Sequence, residues 1–191
     1  MISGIEFRLG FRGVLHLARF DTQFMRYFDR SAAGARRSFW LALLIWPLAL
    51  VVYWLDIDQS VPSAGVYLMA RSIGYAYGWI LFPMLILVIG RFFGREAEAP
   101  GAIAVYNWFS LLWVGLQIPV TILFAINPDS SLGTALGVVF LLYSMVIEGF
   151  FLMHCLRIQL WQAAILVFVD IVLSLYMIAP AAHQLGYTPL P

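Results

Sequence analysis

Three ionisable side chains fall inside stretches that are otherwise apolar: Arg71 in 66–89, Glu148 in 133–155 and Asp170 in 160–180. Each costs about 3 kcal/mol or more to hold in hydrocarbon, so each needs a partner, a proton or a task. Asn107 and Gln117, in the stretch 101–126, add amides at similar depth, and Tyr75, Tyr77 and Tyr143 add hydroxyls. A helix rises about 1.5 Å per residue, which puts Asn107 roughly 9 Å and Glu148 roughly 10 Å below one membrane surface, within hydrogen-bonding reach of each other. Asp170 falls near the midplane. Arg71 lies toward the opposite surface, level with Gln117, too far along the membrane normal to pair with Glu148 and at full stretch from Asp170. Two chemistries fit this set. The groups can join helices through interhelical hydrogen bonds worth about 1 kcal/mol each, with the carboxyls protonated. Alternatively, Glu148 and Asp170 can line a proton- or cation-linked pathway, although no broken-helix pair or inverted repeat accompanies them.

Other reactive groups are sparse. His16, His154 and His183 are the only histidines. His154 falls at the cytoplasmic end of the fourth stretch and His183 near the outer end of the fifth, and no zinc-type spacing joins His16 to His154. The single Cys155 excludes an intramolecular disulfide and an all-thiolate metal site within one chain. No phosphate-binding loop, GxSxG elbow or HExxH pair occurs. The expectation is a protein without catalytic residues, metal or cofactor. Seven Trp and nine Tyr suit the aromatic belts of a bilayer.

The elements that must position these groups are helices. The 191 residues are 63% hydrophobic and 11% charged, against about 25% charged for a soluble domain. Five apolar stretches, 38–55, 66–89, 101–126, 133–155 and 160–180, each approach or exceed the roughly 20 residues that cross a hydrocarbon core. Turn chemistry separates them: Pro62 in the first connection, Gly94 to Gly101 in the second, and Asn127-Pro128-Asp129 in the third, where Ser130 or Ser131 can cap the fourth helix. The short link 156–159 makes a hairpin of the last two. GxxxG spacings at Gly74/Gly78 and Gly133/Gly137 predict close helix packing within the monomer. The expected fold is an all-α, polytopic transmembrane bundle of about five spans, 38–182. A leader of residues 1–37 precedes it and a short tail, 183–191, follows.

All 11 basic side chains are arginines. Seven precede the first stretch, Arg91 and Arg95 follow the second, and Arg157 follows the fourth. Arginine in short loops marks the cytoplasmic side, so the N-terminus is expected inside and the C-terminus outside. The leader's arginines interrupt any apolar core that a cleavable signal peptide would need. Drawn as one helix over 8–30, the leader gathers Arg8, Arg12, Arg19, Arg26 and Arg30 into an arc of about 40°, opposite Leu17, Phe20, Phe24, Met25 and Phe28. Asp21 can cap a second helical piece. A basic stripe opposite an aromatic face predicts an amphipathic helix lying in the anionic headgroup layer, or a docking surface for a membrane-protein or cytoplasmic partner. Nucleic acid is not an expected partner. The absence of lysine points to a high-GC bacterial genome, hence the bacterial inner membrane.

A proline-bearing first span (Trp46-Pro47), Phe82-Pro83 in the second and Ala104-Val105-Tyr106-Asn107-Trp108 opening the third complete the pattern. This layout resembles the Yip family of small membrane proteins over residues 38–182: a cytoplasmic leader, five closely spaced spans and a short far-side tail. In eukaryotes that family is linked to Rab-type GTPases and vesicle traffic, a role that does not transfer to a bacterial chain. The resemblance assigns no functional residue. Two function classes stay open: a non-catalytic scaffold, assembly factor or accessory subunit, and a small transporter or ion-coupled permease using Glu148 and Asp170.

Overall fold

The computed structural model describes residues 2–55, 57 and 63–184, with side chains described as far as Ser174. The aspartates and Pro62 of the first connection, the His183 side chain and the tail beyond Gln184 lie outside the described residues. Seven α-helices follow in order: α1 (Gly4–Leu17), α2 (Ala32–Ser38), α3 (Trp40–Leu55), α4 (Ala64–Phe92), α5 (Ala99–Ile126), α6 (Ser131–Leu156) and α7 (Leu160–Gln184). Among the described residues there is no strand.

Four segments are long and apolar enough to cross a bilayer: Ala32–Leu55, Ala64–Phe92, Ala99–Ile126 and Ser131–Leu156, with mean hydropathies of 1.9 to 2.1. α7 adds a shorter apolar stretch, Leu160–Ser174, within its described side chains. The first crossing segment starts six residues before the expected 38, because α2 runs into α3 with a single turn residue, Phe39, between them.

Local chemistry explains the ends. Ser3, Ser31, Ser63 and Ser130 each accept a hydrogen bond from a first-turn amide, at Glu6, Gly34, Val66 and Gly133. These caps satisfy donors that the first turn leaves over. α6 stops at Arg157, whose φ of 53° and ψ of 43° are left-handed. Pro100 opens α5 in its first turn, where its missing N–H costs no hydrogen bond.

Contacts fix the register. Tyr75 donates from its hydroxyl to the Ala42 carbonyl (2.6 Å), joining α4 to α3. Phe82 packs on Tyr106 with ring centroids 4.5 Å apart, joining α4 to α5. Phe109 meets Phe151 at 5.5 Å, joining α5 to α6. With these contacts, successive helices from α3 to α6 run antiparallel, so Arg36, Arg91, Arg95 and Arg157 share one end of the bundle. α5 is central and touches α1, α2, α3, α4 and α6, while α7 lies against α6 and α4. Residues 101–105 and 107–109 of α5 are buried without a break, whereas Val120 is the only buried residue in its other half. The tightly packed core therefore sits in the arginine-bearing half of the bundle.

A single helix over 8–30 does not form. α1 ends at Leu17, Phe20 adopts a φ of 56°, and a 3₁₀ turn follows over Thr22–Arg26. Asp21 causes the break: its side chain accepts from the Gln23 amide at 2.9 Å and meets His16 Nδ1 at 2.7 Å. Short polar side chains that bind local backbone compete with helix continuation in this way. The arginine stripe is accordingly divided. Arg8 and Arg12 lie on α1, Arg19 in the turn, Arg26 at the end of the 3₁₀ piece and Arg30 in the following link; all five are exposed. On the other side Leu17, Phe24 and Phe28 are buried and join the same core as Trp108 and Phe151.

Candidate functional site

The buried polar residues gather at the packed end. Asn107 is 0% exposed and Ser38 2% exposed. Asn107 Nδ2 donates to Ser38 Oγ at 2.8 Å, and Ser38 Oγ donates onward to the Ala35 carbonyl at 2.7 Å. Because the serine proton is committed to Ala35, Ser38 can only accept from the amide, which fixes the amide's orientation. Asn107 Oδ1 then lies buried without a hydrogen-bond partner among the described residues. This corrects the expected bond between Asn107 and Glu148: the amide spends its donor on α2 instead. Ser38 was the missed partner. Its signal was its level, since it opens the first apolar stretch at the same end of the bundle as Asn107.

Glu148, 5% exposed on α6, also has a buried oxygen, Oε1, with no hydrogen-bond partner among the described residues. Asp170 on α7 and Tyr106 on α5 lie within electrostatic range of it. Thus α5, α6 and α7 bring two carboxyl groups and a phenol into one neighbourhood, walled by Phe82 and Phe151 around Tyr106. Such a group can hold protons or make interhelical hydrogen bonds.

The other candidates stand apart. The Arg71 guanidinium lies 4.7 Å from the Tyr53 ring centroid and 5.8 Å from that of Tyr67. Aromatic faces at these distances stabilise a cation. Gln117 is half-buried on α5, and among the described residues its side chain takes no part in the hydrogen bonds that join α5 to α2 and α4 to α3. Gly133 is buried, and a Cβ there would come within 3.2 Å of Phe124. At Gly137 the nearest atom, Val120 Cγ1, would be 3.6 Å away, an ordinary contact. Around Gly74 and Gly78 nothing among the described residues lies within 4 Å of such a Cβ. The expected close approach at that second pair is therefore not seen, because this face of α4 has no described helix against it.

The leader forms a second polar assembly, at the arginine-bearing end. Arg37 Nε donates to Glu6 Oε1 and Oε2 at 3.0 and 3.2 Å, and Nη2 donates to Asp29 Oδ2 at 2.6 Å. One guanidinium thus ties α1, the link before α2 and α2 itself. Hydrogen bonds from Ser31, and then from Arg37, hold the Asp29 carboxyl below its ordinary value of 3.8. Asp21 is likewise lowered, first by the Gln23 amide and then by His16. The His16 ring stacks on Tyr27 at 4.8 Å. The Tyr143 hydroxyl of α6 donates to the Ala18 carbonyl, and Phe20 meets Tyr143 and Phe150 edge-on at 5.9 and 5.5 Å. His154 Nδ1 donates to the Phe150 carbonyl at 2.8 Å, an ordinary bond within a helix. Among the described residues no cluster of three His, Cys, Asp or Glu could hold a metal ion.

Helices of this length and hydropathy around a polar but packed interior define a multi-pass integral membrane protein. The Yip1 domain family model matches residues 16–181, so the chain belongs to that family. Nothing among curated proteins or solved structures matches it.

Proposed function

We propose that the protein is a non-catalytic component of a membrane assembly: a scaffold, an assembly factor or an accessory subunit. One observation carries this reading. Among the described residues Glu148 is buried, its neighbourhood with Asp170 is filled by Tyr106, Phe82 and Phe151, and neither carboxyl lines the cavities of about 320 and 280 Å³ at the rim of the bundle. A permease needs its polar groups on a path through the membrane; here they lie in a packed interior. The exposed leader arginines Arg8, Arg12, Arg19, Arg26 and Arg30 offer a surface for anionic headgroups or a membrane-protein partner. The arginine bias supports an N-terminus inside and a C-terminus outside a bacterial inner membrane.

Affinity capture of gently solubilised protein, followed by native mass measurement, tests the role. A stoichiometric partner is expected, and a lone oligomer that releases no partner would overturn the scaffold reading. C-terminal reporter fusions test the sidedness: an external readout is expected, and a cytoplasmic one would sink the five-span layout.

A second reading, an ion-coupled permease, is favoured by the Glu148 oxygen that has no hydrogen-bond partner among the described residues, within electrostatic range of Asp170. It requires that Glu148→Gln and Asp170→Asn keep normal abundance while abolishing an ion-dependent phenotype. Loss of abundance instead would mark both as structural.

A further inference from the structure

The larger cavity is a groove between α2 and α4 with α5 as its floor, lined by Ala35, Arg36 and Phe39 on one wall, Met84 and Leu87 on the other, and Ile103 beneath. Arg36 is its only lining residue that is not apolar. That side chain is exposed and makes no ion pair among the described residues. A second cavity shares Leu87 and continues past Arg91, Glu96 and Ala99. Arg91 there is engaged by Glu96 at 3.4 Å, which leaves Arg36 as the uncompensated charge at the groove mouth.

An apolar channel on the lipid-facing side of the bundle, ending in an unpaired guanidinium at the level of the other arginines, is complementary to one kind of molecule. We infer that this groove binds a single anionic phospholipid, with an acyl chain laid between α2 and α4 and the phosphate held by Arg36. The volume of about 320 Å³ suits part of one acyl chain. A guanidinium presents paired donors that match phosphate oxygens, which ammonium side chains do not. This site is separate from the leader's arginine face, and it does not depend on whether the protein assembles with a partner.

Native mass spectrometry of the full chain, released from vesicles of mixed phosphatidylglycerol and phosphatidylcholine, tests the site. The expected result is one retained phosphatidylglycerol per chain, enriched several-fold over phosphatidylcholine. Arg36→Gln should remove the enrichment, and Arg36→Lys should restore part of it. Met84→Trp, which fills the groove from an exposed position, should lower retention of both lipids. Helical circular dichroism of each variant is recorded so that a folding failure is recognised; if Arg36→Gln fails to fold, Met84→Trp decides. Unchanged enrichment in Arg36→Gln, equal retention of the two lipids by the wild type, or a dimer that carries no lipid would each overturn the inference.

Discussion

The Ser38–Asn107 hydrogen bond joins the start of the first crossing segment to the central helix, and both residues are sealed from lipid and water. Removing one partner from such a pair leaves the other unpaired at a cost of about 1–3 kcal/mol, whereas replacing both can be nearly neutral. Ser38→Ala should therefore destabilise the protein by about that amount, because Asn107 would then have no hydrogen bond at either end of its amide. Adding Asn107→Leu should recover most of the loss. Unfolding of the two single variants and the double variant in mixed micelles measures the coupling, and additive losses would contradict the clamp. Arg71 makes a different point at this scale. It is the one arginine away from the arginine-bearing end, and the sequence places it level with Gln117 and out of reach of Glu148. The structure seats it against Tyr53 and Tyr67. Ring faces carry no formal charge, so counting charged residues in the sequence does not reveal these two contacts.

At the scale of elements, the leader depends on close approach. A Cβ on Gly10 would overlap the indole ring of Trp108, and one on Gly13 would sit 2.6 Å from the Phe28 ring. Gly10→Ala would gain about 1 kcal/mol of helix propensity. Overpacking costs about 1–3 kcal/mol, so the expected sign is destabilising. Limited proteolysis should then cut the leader while the membrane helices survive. The leader should also respond to acid. Asp21 and Asp29 have folded pKa values below 3.8, so their contribution is complete above about pH 3.8 and is lost as pH falls through the lower folded values. The amide resonances of Gln23 and Ser31 should titrate in that range, and Asp29→Asn should remove the Ser31 transition alone. The route of the leader was only partly legible. Of its apolar face, Leu17, Phe24 and Phe28 are buried as the helical wheel suggests, whereas Met25 is half-buried and Phe20 is exposed. The wheel presumes an unbroken backbone, however, and the bonds of Asp21 to His16 and Gln23 break it.

For the whole molecule, the bundle was readable because long apolar stretches leave the backbone few alternatives. In hydrocarbon every N–H and C=O must be paired within the segment, so each such stretch becomes a helix. What composition could not convey is the unequal packing along the membrane normal. All the apolar stretches look alike in hydropathy, yet the buried side chains of α5 and α6 concentrate toward the end that carries the arginines. Gly133→Leu probes the sparser half. Gly133 packs against Phe124, so the larger side chain should lower stability by about 1–3 kcal/mol. Gly74→Leu, with nothing described beside it, should change monomer stability little. Thermal unfolding of both variants in detergent checks the contrast.

The bond between Tyr143 and Ala18 spans 125 residues of chain. A ribosome adding about 5–20 residues per second needs roughly 6–25 s to make that interval. For that time the leader has emerged while the helix that receives it does not yet exist. Phe20, Phe24 and their neighbours must wait at the membrane surface, or on whatever else will hold them, until α6 arrives. The order of synthesis thus places docking of the leader on α6 after most of the bundle has been made.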